Sequence, residues 1–204
     1  MRNTPTFVIT DENEVKRLIR RSSWATIVSN TANGLVASHY PVVLEETAEG
    51  ISIVSHVGRP DEQLHELGQH EVLVIIAGPH GYISPSWYVP GATPAPTWNF
   101  SVAHCYGTPQ LLDADTNLAV LTRLVAHFEQ HVEAPLYLDQ EIGARIARGT
   151  VGIRLPITRF VCKVKMSEDK DPVSQRQVIE HLRQDGPYAQ PALADDMERA
   201  LAGR

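Results

Sequence analysis

The residues best suited to chemistry lie between Gly78 and Gly107, in the stretch GPHGYISPSWYVPGATPAPTWNFSVAHCYG. Two of the three tryptophans, Trp87 and Trp98, fall there, together with Tyr82, Tyr88, Tyr106 and His80. Aromatic planes beside hydroxyls and the amide of Asn99 suit a flat ligand with a polar edge. The same composition also describes an aromatic-rich core hairpin closed by a rigid proline loop. Residue types alone leave both readings open. Ser84 and Ser86 are each flanked by proline, and no Gly-x-Ser-x-Gly elbow holds either one, so nothing supports a hydrolytic triad.

Cations stand elsewhere. Arg59 follows an apolar stretch and precedes Pro60. That placement offers a guanidinium and a helix start to one anion, although most single arginines are simply solvated. Lys163 and Lys165 alternate on one face of the last predicted strand, with Arg159 at compatible spacing. This face reads equally as an anion site or a solvated surface. The phosphate-cradling patterns GxGxxG and GxxxxGK[ST] are absent, as is HExxH, so Rossmann, P-loop and zincin sites are not expected. His127 and His131 are four apart on a predicted helix and could share a metal. Such pairs on a solvated face are commonly coincidental, and no metal site is expected. No catalytic residue can be named; His56 and His80 are the candidate proton donors.

Several elements must position these residues. Asp11-Glu12-Asn13-Glu14 reads as a capping box opening a short helix with Val15, Leu18 and Ile19 inward. Trp24 to Ser29 and Leu35 to Leu44 form a hairpin turned at Asn33-Gly34, and Ile51 to His56 is a third strand. Pro60 to Leu67 is a short helix stopped by Gly68. Val72 to Ala77 is an apolar run expected to be buried on both faces. In the strand Trp98 to Leu112, alternation puts Trp98, Phe100, Val102, His104 and Tyr106 on one face, with Asn99, Ser101, Ala103 and Cys105 on the other. Ala114 to Val132 is the clearest helix, with Leu118, Leu121, Val125 and Phe128 as its stripe. Asp139 to Arg148 is another helix, and Val151 to Met166 is a long strand bent near Pro156. A helix starts at Asp171-Pro172 and ends near Arg183, and a last one spans Leu193 to Leu201. Six or seven strands with few βαβ alternations predict a mainly β (α+β) fold, a barrel with peripheral helices.

The 204 residues suit one domain with an appendage, divided here as 1–170 and 171–204. A net charge of −6 argues against direct nucleic-acid binding. No apolar run reaches membrane-spanning length, and no signal-type segment opens the chain. Cys105 and Cys162 lack metal-type spacing and read as buried thiols, so a cytoplasmic protein is expected.

One resemblance joins these pieces. Gly78-Pro79-His80-Gly81-Tyr82-Ile83-Ser84-Pro85-Ser86-Trp87-Tyr88, followed by Pro96-Thr97-Trp98-Asn99-Phe100, resembles the PaiB-type family of FMN-binding negative transcriptional regulators. Ala37-Ser38-His39-Tyr40-Pro41, Ser55-His56-Val57-Gly58-Arg59 and Ile153-Arg154-Leu155-Pro156-Ile157-Thr158 also match, so the likeness runs from about Thr6 to Arg183. It implies an FMN-binding split β-barrel and a homodimer. The cofactor contacts it implies come from His39, His56, Arg59, Ser84, Trp87, Tyr88, Thr97, Trp98, Asn99, Lys163 and Lys165. On that reading the flavin ring stacks near Trp87, Tyr88 or Trp98, Asn99 reads its polar edge, and Arg59, Lys163 and Lys165 meet the phosphate. The implied function is a flavin-dependent oxidoreductase using a nicotinamide cofactor, or a transcriptional regulator. The alternatives are a regulator acting through DNA or a protein partner without flavin, and a haem-binding split barrel. Two departures stand out. Lys165-Met166-Ser167-Glu168-Asp169 replaces the family's Lys-x-Ser-Gln-Asn, and the loop Val89 to Ala95, a candidate lid, is short.

Overall fold

A computed structural model describes residues 5–90 and 95–203. Most of the candidate lid, residues 91–94, therefore lies outside the described residues. The described residues form ten strands and six α-helices. The strands are β1 (Val8–Ile9), β2 (Trp24–Thr31), β3 (Gly34–Pro41), β4 (Val43–Thr47), β5 (Gly50–Gly58), β6 (Val72–Ile83), β7 (Thr97–Gly107), β8 (Gln110–Leu111), β9 (Thr150–Pro156) and β10 (Arg159–Lys165). The helices are α1 (Glu12–Arg21), α2 (Arg59–Leu64), α3 (Ala114–Glu129), α4 (Gln140–Gly149), α5 (Pro172–Arg183) and α6 (Pro191–Ala202). One sheet has the order β1-β10-β7-β6-β2-β3 and the other β4-β5-β9-β8. The chain divides into two compact units. The larger holds residues 11–77 and 103–161, the smaller 1–10, 78–102 and 162–204.

Local chemistry explains most of the larger unit. The Asp11 carboxylate accepts from the Asn13 backbone N–H, and Val15, Leu18 and Ile19 of α1 are buried as expected. The predicted strand Leu35 to Leu44 is two strands. β3 ends at Pro41 after pairing along β2 from Thr31↔Gly34 to Trp24↔Pro41, and β4 turns away to pair with β5. β6 also differs from expectation. Val72, Val74 and Ile76 are buried while Leu73 and Ile75 are only half-buried, so one face is open. It runs on through Pro79 because its rungs with β2 end at Ile76. Helix α2 stops earlier than expected. Glu66, with φ 50°, closes it; the Leu67 N–H reaches Glu62 and the Glu66 N–H reaches Gln63, with Leu67 buried beyond them.

The stripe of α3 is rotated from the predicted one: Asn117, Val120, Leu121 and Leu124 are its buried residues. The Asn117 amide donates to the Ala147 and Thr150 carbonyls at 3.2 Å each, which turns that side inward. Val120 and Leu124 pack with Val43 and Val54. The expected strand Val151 to Met166 is divided into β9 and β10 by a turn at Ile157 and Thr158, whose N–H groups bond to Ile51 and Tyr106. A Cβ at Gly107 would stand 2.1 Å from the Pro156 carbonyl, so only glycine fits where β7 ends beside this turn.

In the smaller unit, β1 pairs with β10 through Val8↔Lys163 and Ile9↔Cys162. Asp171 caps α5 by accepting from the Val173 and Ser174 N–H groups. Val178, Ile179, Leu182, Leu193, Ala194 and Met197 form an apolar core between α5 and α6. A Cβ at Gly81 would meet Gln190 and Leu193 at 3.1 Å, so a glycine on β6 lets the start of α6 lie directly on the strand.

Candidate functional site

The aromatic segment sorts by the pleat of β7. Over Asn99 to Cys105, the face bearing Asn99, Ser101, Ala103 and Cys105 is buried, while Phe100, Val102 and His104 are half-buried. The face carrying the large rings is thus the more open one, and Trp98 is 55% exposed. Asn99 is 0% exposed; its amide donates to Ser167 Oγ at 2.9 Å and lies 3.3 Å from Met197 Sδ, and its carbonyl accepts from the same hydroxyl. Ser167 has φ 63°, and this amide pair fixes it there. Asn99 therefore shapes the segment that departs from the family pattern. Within that segment, Glu168 accepts from the Met166 N–H at 2.8 Å, and Asp169 pairs with Lys170 at 2.8 Å.

Lys165 donates to Thr97 Oγ1 and, at 3.1 Å, to the Trp98 carbonyl. Its Nζ lies 5.8 Å from the Phe7 ring. Burial pulls its ammonium below the usual lysine range, and the charges of Asp169 and Glu168 only partly offset this. Lys163 is 4% exposed. Ser84 accepts from the Ser86 N–H and opens the short turn of Pro85–Trp87. Tyr88 is 6% exposed, and its hydroxyl has no partner among the described residues.

Sequence reasoning missed two members of this unit, His181 and Tyr188. His181 stacks on Trp87, and Tyr188 lies against Tyr82 and Trp87. Their only signal is an aromatic after the Gly186-Pro187 break and a histidine on the half-buried side of α5, neither of which reveals a distant partner.

His39, His56 and Arg59 belong to the larger unit. Ser55 Oγ donates to the Pro41 carbonyl at 2.6 Å, tying β5 to the end of β3. The Tyr40 hydroxyl donates to Asp61 of α2. Burial first, then Asp61, pushes that hydroxyl up to about 12, so it remains a donor at neutral pH. His39 is exposed, 6.3 Å from Trp24 between ring centroids. His56 is half-buried, and its buried Nδ1 has no partner among the described residues. Desolvation holds His56 below the usual histidine range. Arg59 is exposed; its Nε donates to the Arg148 carbonyl at 3.0 Å, leaving the terminal nitrogens without a carboxylate among the described residues. An imidazole nitrogen and a guanidinium end that both lack partners among the described residues are donors that fit a phosphate, so this donor set is compatible with the phosphate of FMN. Among the described residues there is no group of three or more metal-type ligands, and no helix is long and apolar enough to cross a membrane.

Comparison with known proteins agrees with this chemistry. Residues 1–159 match the family described as "Putative FMN-binding domain". The chain is 27% identical over 200 residues to the protease synthase and sporulation protein PAI 2 of Bacillus subtilis, covering 96% of this chain and 95% of that one. The fold is similar to that of the FAD and heme binding protein from Mycobacterium smegmatis, with a TM-score of 0.62 at 16% identity, covering 83% of this chain and 78% of that one. It is also similar to the flavocytochrome Anf3 from Azotobacter vinelandii, with a TM-score of 0.65 at 13% identity, covering 86% and 78%. Two antiparallel sheets with peripheral helices, the GP-x-x-YISPSWY and PTWN motifs and the family match lead to one assignment: the chain belongs to the FMN-binding domain family and is a PaiB-type, FMN-binding split β-barrel protein.

Proposed function

We propose that this chain is a cytoplasmic, homodimeric FMN-dependent electron carrier that receives reducing equivalents from a nicotinamide cofactor. The observation that carries the reading is the buried Nδ1 of His56, without a partner among the described residues, three residues before the exposed guanidinium of Arg59. Buried polar atoms are normally paired, and a bound phosphate would pair this one. Arg59 contributes charge-assisted hydrogen bonds to the phosphate, and the link through Arg148 orients it. Of Trp87, Tyr88 and Trp98 in the smaller unit, Trp98 is the open ring, because Trp87 is stacked by His181 and Tyr88 is buried. Bound FMN supplies the redox chemistry; the side chains bind, orient and exclude water. Exposed Trp24 and Leu35 give a second copy apolar surface to cover. Two buried thiols support a reducing compartment. Any effect on transcription runs through flavin redox state or a protein partner, because a net charge of −6 offers duplex DNA little counterion release.

The test is titration of purified protein with FMN, followed by flavin and tryptophan fluorescence and by light scattering. One FMN per subunit in a dimer, bleached by NADH or NADPH, supports the reading. No saturable binding by a folded dimer overturns it. A Soret band on haem addition without FMN binding favours the haem alternative.

A further inference from the structure

The corner that presents Arg59 has no cap of its own. Strand β5 ends at Gly58 and α2 begins at Arg59, and the glycine at the cap position has no side chain to hold the first turn. Packing does not clamp the corner either. Among the described residues, a Cβ added at Gly58 would meet only Pro60 Cδ, at 3.7 Å.

The hold comes from β3. Ser38 and Tyr40 are two apart and so share a face, and both are half-buried while Ala37 and His39 are exposed. That face meets α2 at two points. His65, which ends the helix, has Nε2 3.0 Å from Ser38 Oγ and Nδ1 2.8 Å from Ser29 Oγ of β2. The Tyr40 hydroxyl donates to the Asp61 carboxylate, and the Gly58 backbone hydrogen-bonds the same phenol oxygen. One hydroxyl thus bonds the residue before Arg59 and the residue after Pro60. Arg59 itself is exposed, with its Nε on the Arg148 carbonyl at 3.0 Å. Tyr40 sets the backbone from which Arg59 projects, and Arg148 sets the direction of its side chain. An arginine already held in its binding geometry loses less entropy on capturing an anion than one that must first be ordered.

We infer that Tyr40 is a positioning residue for the anion site of Arg59: its hydroxyl ties Gly58 to Asp61 and so holds the guanidinium where the FMN phosphate docks. The inference rests on the phosphate reading of Arg59 proposed above. Tyr40 acts through Arg59 and not on the flavin.

The test measures FMN and riboflavin binding to the full chain by flavin fluorescence. Riboflavin lacks the phosphate, so it reports on the ring site alone. Tyr40→Phe should weaken FMN binding about three- to tenfold and leave riboflavin binding unchanged. In an Arg59→Ala background the same substitution should change FMN binding by less than about twofold, because the group it positions is gone. A second route leaves Tyr40 in place. Asp61→Ala and Asp61→Asn are equally uncharged, but the amide keeps an acceptor for the hydroxyl, so Asp61→Asn should bind FMN about threefold more tightly than Asp61→Ala. An equal loss for riboflavin, an undiminished loss in the Arg59→Ala background, or equal FMN binding by the two Asp61 variants makes Tyr40 merely structural and overturns the inference. So does a Tyr40→Phe variant that binds FMN like the parent while Arg59→Ala binds it weakly. A folded chain that binds no FMN, or binds it unchanged after Arg59→Ala, overturns the phosphate reading and this inference with it.

Discussion

The imidazole of His181 lies parallel to the indole of Trp87, with centroids 5.2 Å apart and planes 15° from parallel. A residue of the C-terminal helix pair thus occupies a face within the family's aromatic motif. Removing it in His181→Ala is expected to lower stability by about 1 kcal/mol and to shift the Trp87 emission, while His181→Phe retains most of the stability. Urea unfolding followed by fluorescence reads both effects.

Arg59 is exposed and bonded to protein only through Nε among the described residues. Arg59→Ala should therefore weaken FMN binding about ten- to hundredfold with little change in unfolding midpoint. An unchanged FMN affinity would remove Arg59 from the phosphate site.

His65 is buried between two hydroxyls, with Nδ1 2.8 Å from Ser29 Oγ and Nε2 3.0 Å from Ser38 Oγ. Burial holds its pKa low, partly offset by Asp61. The folded state prefers neutral His65, so its stabilisation is present above the unfolded value, about 6.5, and is lost as pH falls below it. His56, also held low by burial, adds to the same slope. The thermal midpoint should fall between neutral pH and pH 5, and His65→Gln should flatten that dependence.

Glu45 bonds both Arg154 and Arg123, and the Arg154 hydrogen bond leads the causes that hold its carboxyl below the usual range. A depressed carboxylate stabilises above its unfolded pKa and loses that stabilisation as pH falls through the folded value. Glu45→Gln should cost about 1 kcal/mol at pH 7. The gap from the parent should narrow below pH 4, as urea midpoints at the two pH values would show.

Gly81 has Gln190 and Leu193 at 3.1 Å from an ideal Cβ. Gly81→Val should destabilise the packing of α6 by about 1–3 kcal/mol. Limited proteolysis should then cut the chain between α5 and α6 faster than in the parent.

Short-range chemistry was legible in the sequence. Asp11 and Asp171 cap the helices they precede, and the period-two order of β7 put the large rings on one face, because these features depend on residues within a turn of each other. The family motif was legible too, as a string of residue types. Which face of β7 would be core depended on packing from outside the strand, and the tertiary structure decided it: Asn99 finds Ser167 across 68 positions. The partners of Trp87 and Tyr82 were likewise invisible, since His181 and Tyr188 enter through helix packing that Gly81 permits. Glu45 and Arg154, 109 positions apart, meet only once β4, β5 and β9 pair. Local signals fix the elements; burial and long-range pairing select which of their side chains remain open to a ligand.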